Sequence, residues 1–102
     1  MNTNTHSQCS SKELKILGDF WTLQIIQALR DEEKRFCQLQ RDVPNINPTT
    51  LTDRLKKLEN QKLLKRKEDT VDRLSVTYAL TNKGKGILPV LKQIKIFAEK
   101  YL

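Results

Sequence analysis

A chain of 102 residues has room for one small domain and not for an enzyme with separate substrate and cofactor domains. With 37% apolar and 30% charged residues, it is too apolar and too mixed in sign to be a disordered tail. Lys and Arg number 19 against 12 Asp and Glu, a formal charge of +7, while two Cys and one His can neither build a disulfide scaffold nor fill a four-ligand zinc site without carboxylates.

Residues 1–8, MNTNTHSQ, are polar and lack the apolar run of a signal peptide, so they read as a disordered tail that includes His6. Residues 9–102 read as one domain. No stretch approaches the ~20 apolar residues that cross a bilayer. The expectation is a soluble, cytoplasmic chain with reduced thiols and no cofactor.

Ser10-x-x-Glu13 fits a capping box, and Leu14 and Leu17 follow at helical spacing, which predicts a helix over 10–17. Gly18-Asp19 interrupts the run. A second helix over 19–30 is expected to bury Phe20, Trp21, Ile25, Ile26 and Leu29. A third, over 36–43, turns Phe36, Leu39 and Val43 inward and stops at Pro44-Asn45. Cys37, beside Phe36, is expected to pack as a small hydrophobe.

The next start signal is stronger. Asn47 suits an N-cap and Pro48 the first helical position, which predicts a helix over 47–60. Leu51, Leu55 and Leu58 form one apolar stripe. Thr49, Asp53, Lys56, Lys57 and Asn60 fall on the opposite side, with Thr50, Thr52 and Arg54 on the flanks. After Leu64 the period changes. Lys65 to Glu68 and the alternating Leu74, Val76, Tyr78 and Leu80 predict two short strands joined by a polar tip. Thr81-Asn82 can cap a final helix with Ile87, Leu88, Val90, Leu91, Ile94, Phe97, Ala98 and Tyr101 on its apolar positions, kinked or restarted at Pro89.

The excess charge is not spread evenly. Residues 1–51 are neutral, residues 52–73 carry +3 and residues 74–102 carry +4, with a peak at Lys62 to Lys67. A basic excess attracts polyanions by counterion release, although a basic solvated surface has the same composition.

Three helices, a capped basic helix, a hairpin and a final helix make the layout of a winged helix-turn-helix, mainly α with a small β-hairpin. In that layout the helices over 36–43 and 47–60 form the helix-turn-helix pair, and the second lies in the major groove. Thr49, Thr50 and Thr52 would exchange hydrogen bonds with base edges. Arg35, Arg54, Lys56 and Lys57 would hold phosphates or reach guanine. Arg66, Lys67 and Arg73 would make the hairpin a wing on the backbone or minor groove. Asp53 would accept from a cytosine amino group or pair with Lys56 or Lys57, and the pair is the simpler reading.

Four motifs occur in register: Trp21-Thr-Leu-Gln-Ile-Ile-x-x-Leu29, Arg35-Phe36-x-x-Leu39, Asn47-Pro-Thr-Thr-Leu51-Thr-x-Arg-Leu55-x-x-Leu58-Glu59, and Tyr78-Ala-Leu80-Thr81-x-x-Gly84. With Cys9 ahead of the first helix, the chain resembles the HxlR family of bacterial winged-helix regulators over about residues 9–98. The resemblance implies a cytoplasmic homodimer, sequence-specific on double-stranded DNA at an inverted-repeat operator. It implies a dimer interface on the terminal helices, here Leu14, Leu17, Leu91, Ile94, Phe97 and Tyr101. Some members sense oxidants or electrophiles through the N-terminal Cys, which points to Cys9 as a redox sensor and to an electrophile or small molecule as effector. A Cys9–Cys37 bridge between subunits is a further expectation. Two departures stand out. Lys62 occupies a position that is often Gly in the family, and the wing tip lacks the family's prolines.

Two other functions fit a chain of this size. An RNA-binding or protein-interaction winged helix would use the same fold, but RNA modules more often expose stacking aromatics, and here Phe20, Trp21, Phe36, Tyr78, Phe97 and Tyr101 take apolar-face positions. Trp21 in particular reads as core rather than as the lining of an effector pocket. Catalysis is not expected, because no nucleophile–base pair, apolar carboxylate pair or Gly-rich phosphate loop is visible.

Overall fold

Leu51, Leu55 and Leu58 are fully buried, so the stripe that the spacing predicts is the inner face of a helix. The computed structural model describes residue 15, residues 17–68 and residues 76–102. Its elements are α1 (Phe20–Ala28), β1 (Lys34–Arg35), α2 (Phe36–Asp42), α3 (Pro48–Asn60), β2 (Leu64–Glu68), β3 (Val76–Leu80), α4 (Asn82–Lys85) and α5 (Leu88–Tyr101). The stripe meets Ile25, Ile26 and Leu29 of α1 and its C-cap, and Leu39 and Val43 of α2 and its C-cap. Ile46, Leu63, Leu64 and Leu80 close the same core. Each such side chain contributes about 1.5–3 kcal/mol by leaving water.

The caps follow the sequence signals. Asp19 accepts from the Thr22 backbone N–H and starts α1. Asn47 accepts from the Thr49 N–H and Pro48 opens α3. Thr81 accepts from Gly84 N–H and starts α4. Pro89 restarts rather than kinks the C-terminal segment, so it divides into α4 and α5. Of the helix expected over 10–17, Lys15 and Leu17 are described and are helical. Its capping box, Leu14, Cys9 and the tail over residues 1–8 lie outside the described residues.

The sheet departs from the expectation of a bare hairpin. It has three antiparallel strands in the order β1-β3-β2. β2 and β3 pair from Leu64↔Leu80 to Glu68↔Val76, and β1 adds Lys34↔Tyr78 and Arg35↔Thr77. A two-residue strand carries no periodicity, so β1 leaves no pattern to detect. Phe20 is a second departure: it is 60% exposed, with its ring edge-on to Trp21 at 4.9 Å. Trp21 takes the inward place and packs, half-buried, on the core. Cys37 is a third, exposed on the second position of α2.

The end of α3 is bolted to the sheet. Leu63 N–H bonds to Leu58 C=O at 2.9 Å and Lys62 N–H to Glu59 C=O at 3.0 Å, the Schellman arrangement. That arrangement puts Lys62 at φ 65°, the left-handed region that suits glycine. The Thr81 hydroxyl donates to Lys62 C=O at 2.6 Å, and Thr81 N–H bonds to Leu63 C=O at 3.1 Å. Gly84 sits so close that a Cβ on it would lie 2.1 Å from the Leu63 carbonyl oxygen.

Two substitutions test this joint by urea melts. Gly84→Ala should cost about 1–3 kcal/mol or more, because backbone has to move aside. Lys62→Gly should add about 0.5–1 kcal/mol, since relief of left-handed strain outweighs the greater freedom of unfolded Gly. A neutral Gly84→Ala or a destabilising Lys62→Gly contradicts the geometry.

Candidate nucleic-acid interface

α3 begins at a sharp, capped start and shows its polar side to solvent. Asn47 Oδ1 accepts from Thr49 N–H at 2.7 Å. Thr49, Thr52, Lys56 and Lys57 are exposed and Thr50 is half-buried. Pro48, Thr49, Thr52, Asp53 and Lys56 line one shallow surface depression, so these side chains stand together. The helix therefore offers hydroxyls near its N-terminus and a cation one turn further on. Lys56 makes no ion pair among the described residues.

Arg54 is not on that surface. Its Nε donates to Asp19 Oδ2 at 2.8 Å and its Nη2 to Asp19 Oδ1 at 3.3 Å. Its Nη1 donates to Asp53 Oδ2 at 2.6 Å. The side chain is only 24% exposed. The expectation that Arg54 reaches DNA is thus replaced by a forked clamp between α3 and the start of α1. The sequence carried a signal for this. At ~100° per residue Arg54 lies only about 65° from the leucine stripe, on the flank that meets a neighbouring helix. What could not be read is which helix start supplies the carboxylate. Asp19 also takes the Thr22 N–H and hydroxyl, both at 2.9 Å. The Arg54 hydrogen bond is the main cause that holds its carboxyl at about 2, below the usual 3.8, against the opposing effect of burial. The same bond raises the Arg54 pKa.

Asp53 does pair with Lys57, with Nζ 3.3 Å from Oδ2, as the spacing predicts, and Arg54 is a second partner outside that expectation. Arg54 first, then Lys57, hold its carboxyl below the ordinary carboxylate range.

The remaining cations lie on the strands. Arg35 is exposed at the end of β1, at the N-cap position of α2, where its backbone N–H donates to Gln38 Oε1 at 2.9 Å. Arg66 and Lys67 of β2 are exposed but paired, with Glu68 at 2.9 Å and with Glu33 at 3.2 Å. Such exposed pairs are worth about 0–1 kcal/mol and yield easily to a stronger anion. Arg73 lies outside the described residues.

α5 carries an exposed apolar row. Val90, Ile94, Phe97 and Tyr101 of α5 are each more than half exposed and recur at 4-3-4 spacing, while α5 has no fully buried residue. Leu17 is exposed as well. Leu91, also expected at the interface, packs half-buried on the chain's own core. A groove of about 730 Å³ between α1 and α5 is lined by Phe20, Leu23, Leu88, Leu91 and Ile94 among others. Among the described residues no cluster of His, Cys, Asp and Glu could hold a metal, and no helix is long and apolar enough to cross a membrane.

The model of HxlR-like helix-turn-helix proteins matches residues 16–102. The chain belongs to the HxlR family. It is 30% identical over 98 residues to the HTH-type transcriptional regulator YodB of Bacillus subtilis strain 168, which covers 96% of this chain and 88% of YodB. It is 29% identical over 102 residues to a second regulator of that strain, YvaP, covering all of this chain and 94% of YvaP. The reduced form of YodB superposes with a TM-score of 0.80 at 30% identity, covering 89% of each chain. The redox regulator HypR in its oxidized form does so at 0.81 and 27% identity, covering 91% of this chain and 96% of HypR. YodB has also been seen with quinone bound. This HxlR protein is accordingly a helix-turn-helix transcriptional regulator with a DNA-binding winged helix, not an enzyme.

The Asp19–Arg54 clamp makes stability depend on pH in a defined sense. Asp19 has a depressed pKa in the fold, so its contribution is complete above about pH 5 and is lost as pH falls through about 2. Asp19→Asn keeps a competent N-cap and removes the charge. Urea melts at pH 7 should show a loss of about 1–2 kcal/mol after allowance for solvent screening, shrinking toward zero by about pH 2. A pH-independent difference counts against the ion pair.

Proposed function

We propose that this regulator acts as a homodimer on double-stranded DNA, with α3 in the major groove and the β2–β3 wing on the backbone or minor groove of an inverted repeat. The observation that carries the reading is the unobstructed outer side of α3, where Thr49, Thr52 and Lys56 stand exposed opposite the buried leucines. A B-form major groove admits a helix and presents distinguishable base edges. The threonine hydroxyls suit base edges, and Lys56 and Lys57 suit phosphates. The exposed row on α5 supports a second copy as its cover. Half-sites would then lie about one helical turn, ~34 Å, apart.

Control would act on the spacing of the two α3 helices. The redox and quinone chemistry of YodB and HypR supports an oxidant or electrophile as signal, with Cys9 as its target in this chain. The exposure of Cys37 supports it as a partner thiol.

Selection of bound DNA from a random pool, with and without oxidant, tests the reading. An enriched inverted repeat is expected, weakened or altered by oxidant. Lys56→Ala should weaken binding to all sequences and lower the salt slope by about one, whereas Thr49→Ala should change sequence preference. Unchanged affinity or unchanged preference takes that residue out of the interface. Sedimentation should give twice the chain mass at micromolar concentration, and a single-chain mass excludes the homodimer. A covalent dimer on a non-reducing gel is the expected mark of a Cys9–Cys37 bridge, and persistent monomer refutes the bridge.

A further inference from the structure

We propose that Asp53 is a specificity-determining residue, whose carboxylate accepts a hydrogen bond from the exocyclic amino group of a cytosine in the major groove. The inference rests on the reading of α3 as the DNA-facing helix and adds what that helix would read.

Placement is the first support. At ~100° per residue, Asp53 lies within about 15° of the direction opposite the leucine stripe, nearer the middle of the outer side than Thr49 or Lys56. It is the sixth residue of α3, in the N-terminal half that meets base edges in helix-turn-helix proteins. It shares the surface depression of Thr49, Thr52 and Lys56.

Preorganisation is the second. Both cationic partners use one oxygen, with Arg54 Nη1 at 2.6 Å and Lys57 Nζ at 3.3 Å from Oδ2. Oδ1 takes no hydrogen bond from any described residue, and the side chain is 47% exposed. Arg54 is itself gripped by Asp19, the cap of α1. A flexible surface carboxylate is thereby fixed, through a guanidinium, to the packed body of the domain. Exposed ion pairs contribute little by themselves, so stability gives a weak reason for an acid at the centre of a polyanion-facing surface. Pairing with Arg54 and Lys57 does offset the repulsion that phosphates would otherwise exert on it.

The chemistry of an ionised carboxylate then selects the base, because it can accept and cannot donate. In the major groove guanine shows two acceptors and thymine an acceptor and a methyl group. Adenine shows a donor beside an acceptor. Cytosine shows its N4 amino donor alone, so it is the base that satisfies Oδ1 without opposing it. Guanine and thymine leave the carboxylate desolvated and unpaired, and adenine sets its N7 acceptor against it.

The test is selection from randomised duplex DNA by the full chain, as wild type, Asp53→Asn and Asp53→Ala, followed by titration at two salt concentrations. Wild type should show one position per half-site with cytosine favoured about tenfold or more. Asp53→Asn should move that position to adenine, which pairs with an amide, and Asp53→Ala should erase the preference there. Other positions and the salt slope should stay unchanged. The proposal is overturned if either variant keeps the wild-type preference. It is also overturned if Asp53→Ala tightens binding to every sequence alike and steepens the salt slope, the behaviour of a mere counter-charge. A wild type that enriches no sequence removes the DNA reading of α3 and this inference together, whereas an intact preference in Asp53→Asn removes this inference alone.

Discussion

The two-point grip of Arg54 on Asp19 decides how α3 sits. The leucine stripe fixes which side of α3 faces inward, but apolar contacts are non-directional and leave a helix free to slide or tilt by small amounts. A guanidinium fork on a carboxylate is directional. Here it joins the middle of α3 to the cap of α1, and that cap is held again by Thr22. Partial burial strengthens the pair by lowering the local dielectric, at the cost of desolvating both ions.

That arrangement divides the basic residues into two groups. Arg54 is engaged by Asp19 and Asp53. Lys56, the exposed strand cations and Lys57 remain available to an external anion, though several of them share acidic neighbours. A surface of this kind attracts DNA less indiscriminately than a uniformly cationic one, because Glu68 and Glu33 subtract from the field close to the strand cations. Discrimination then depends more on local hydrogen-bond fit than on total charge.

Much of this was legible in the residues. Asn47-Pro48 and the spacing of Leu51, Leu55 and Leu58 predict α3 to within a residue, since caps and a strong apolar stripe are local features. The hairpin was visible in Val76, Tyr78 and Leu80 for the same reason. β1 was not, because two residues cannot display alternation and their pairing depends on where β3 arrives. Phe20 and Trp21 were both assigned inward, yet adjacent helical positions lie ~100° apart and only one can take the inner place. Arg54 was assigned to DNA by its residue type, whereas its partner lies 35 positions away in the chain. Lys62 shows the reverse case. The resemblance puts a glycine at that position without giving a reason, and the left-handed backbone supplies one.

The joint at Leu63 has a mechanical consequence. Its backbone ends α3, opens β2, receives Thr81 after β3 and lies against Gly84 of α4. The C-terminal end of α3 and the bases of β2 and β3 are therefore hydrogen-bonded into one jaw. A curved or narrowed groove cannot be accommodated by flexing that jaw. Adjustment then falls to bending of the duplex itself.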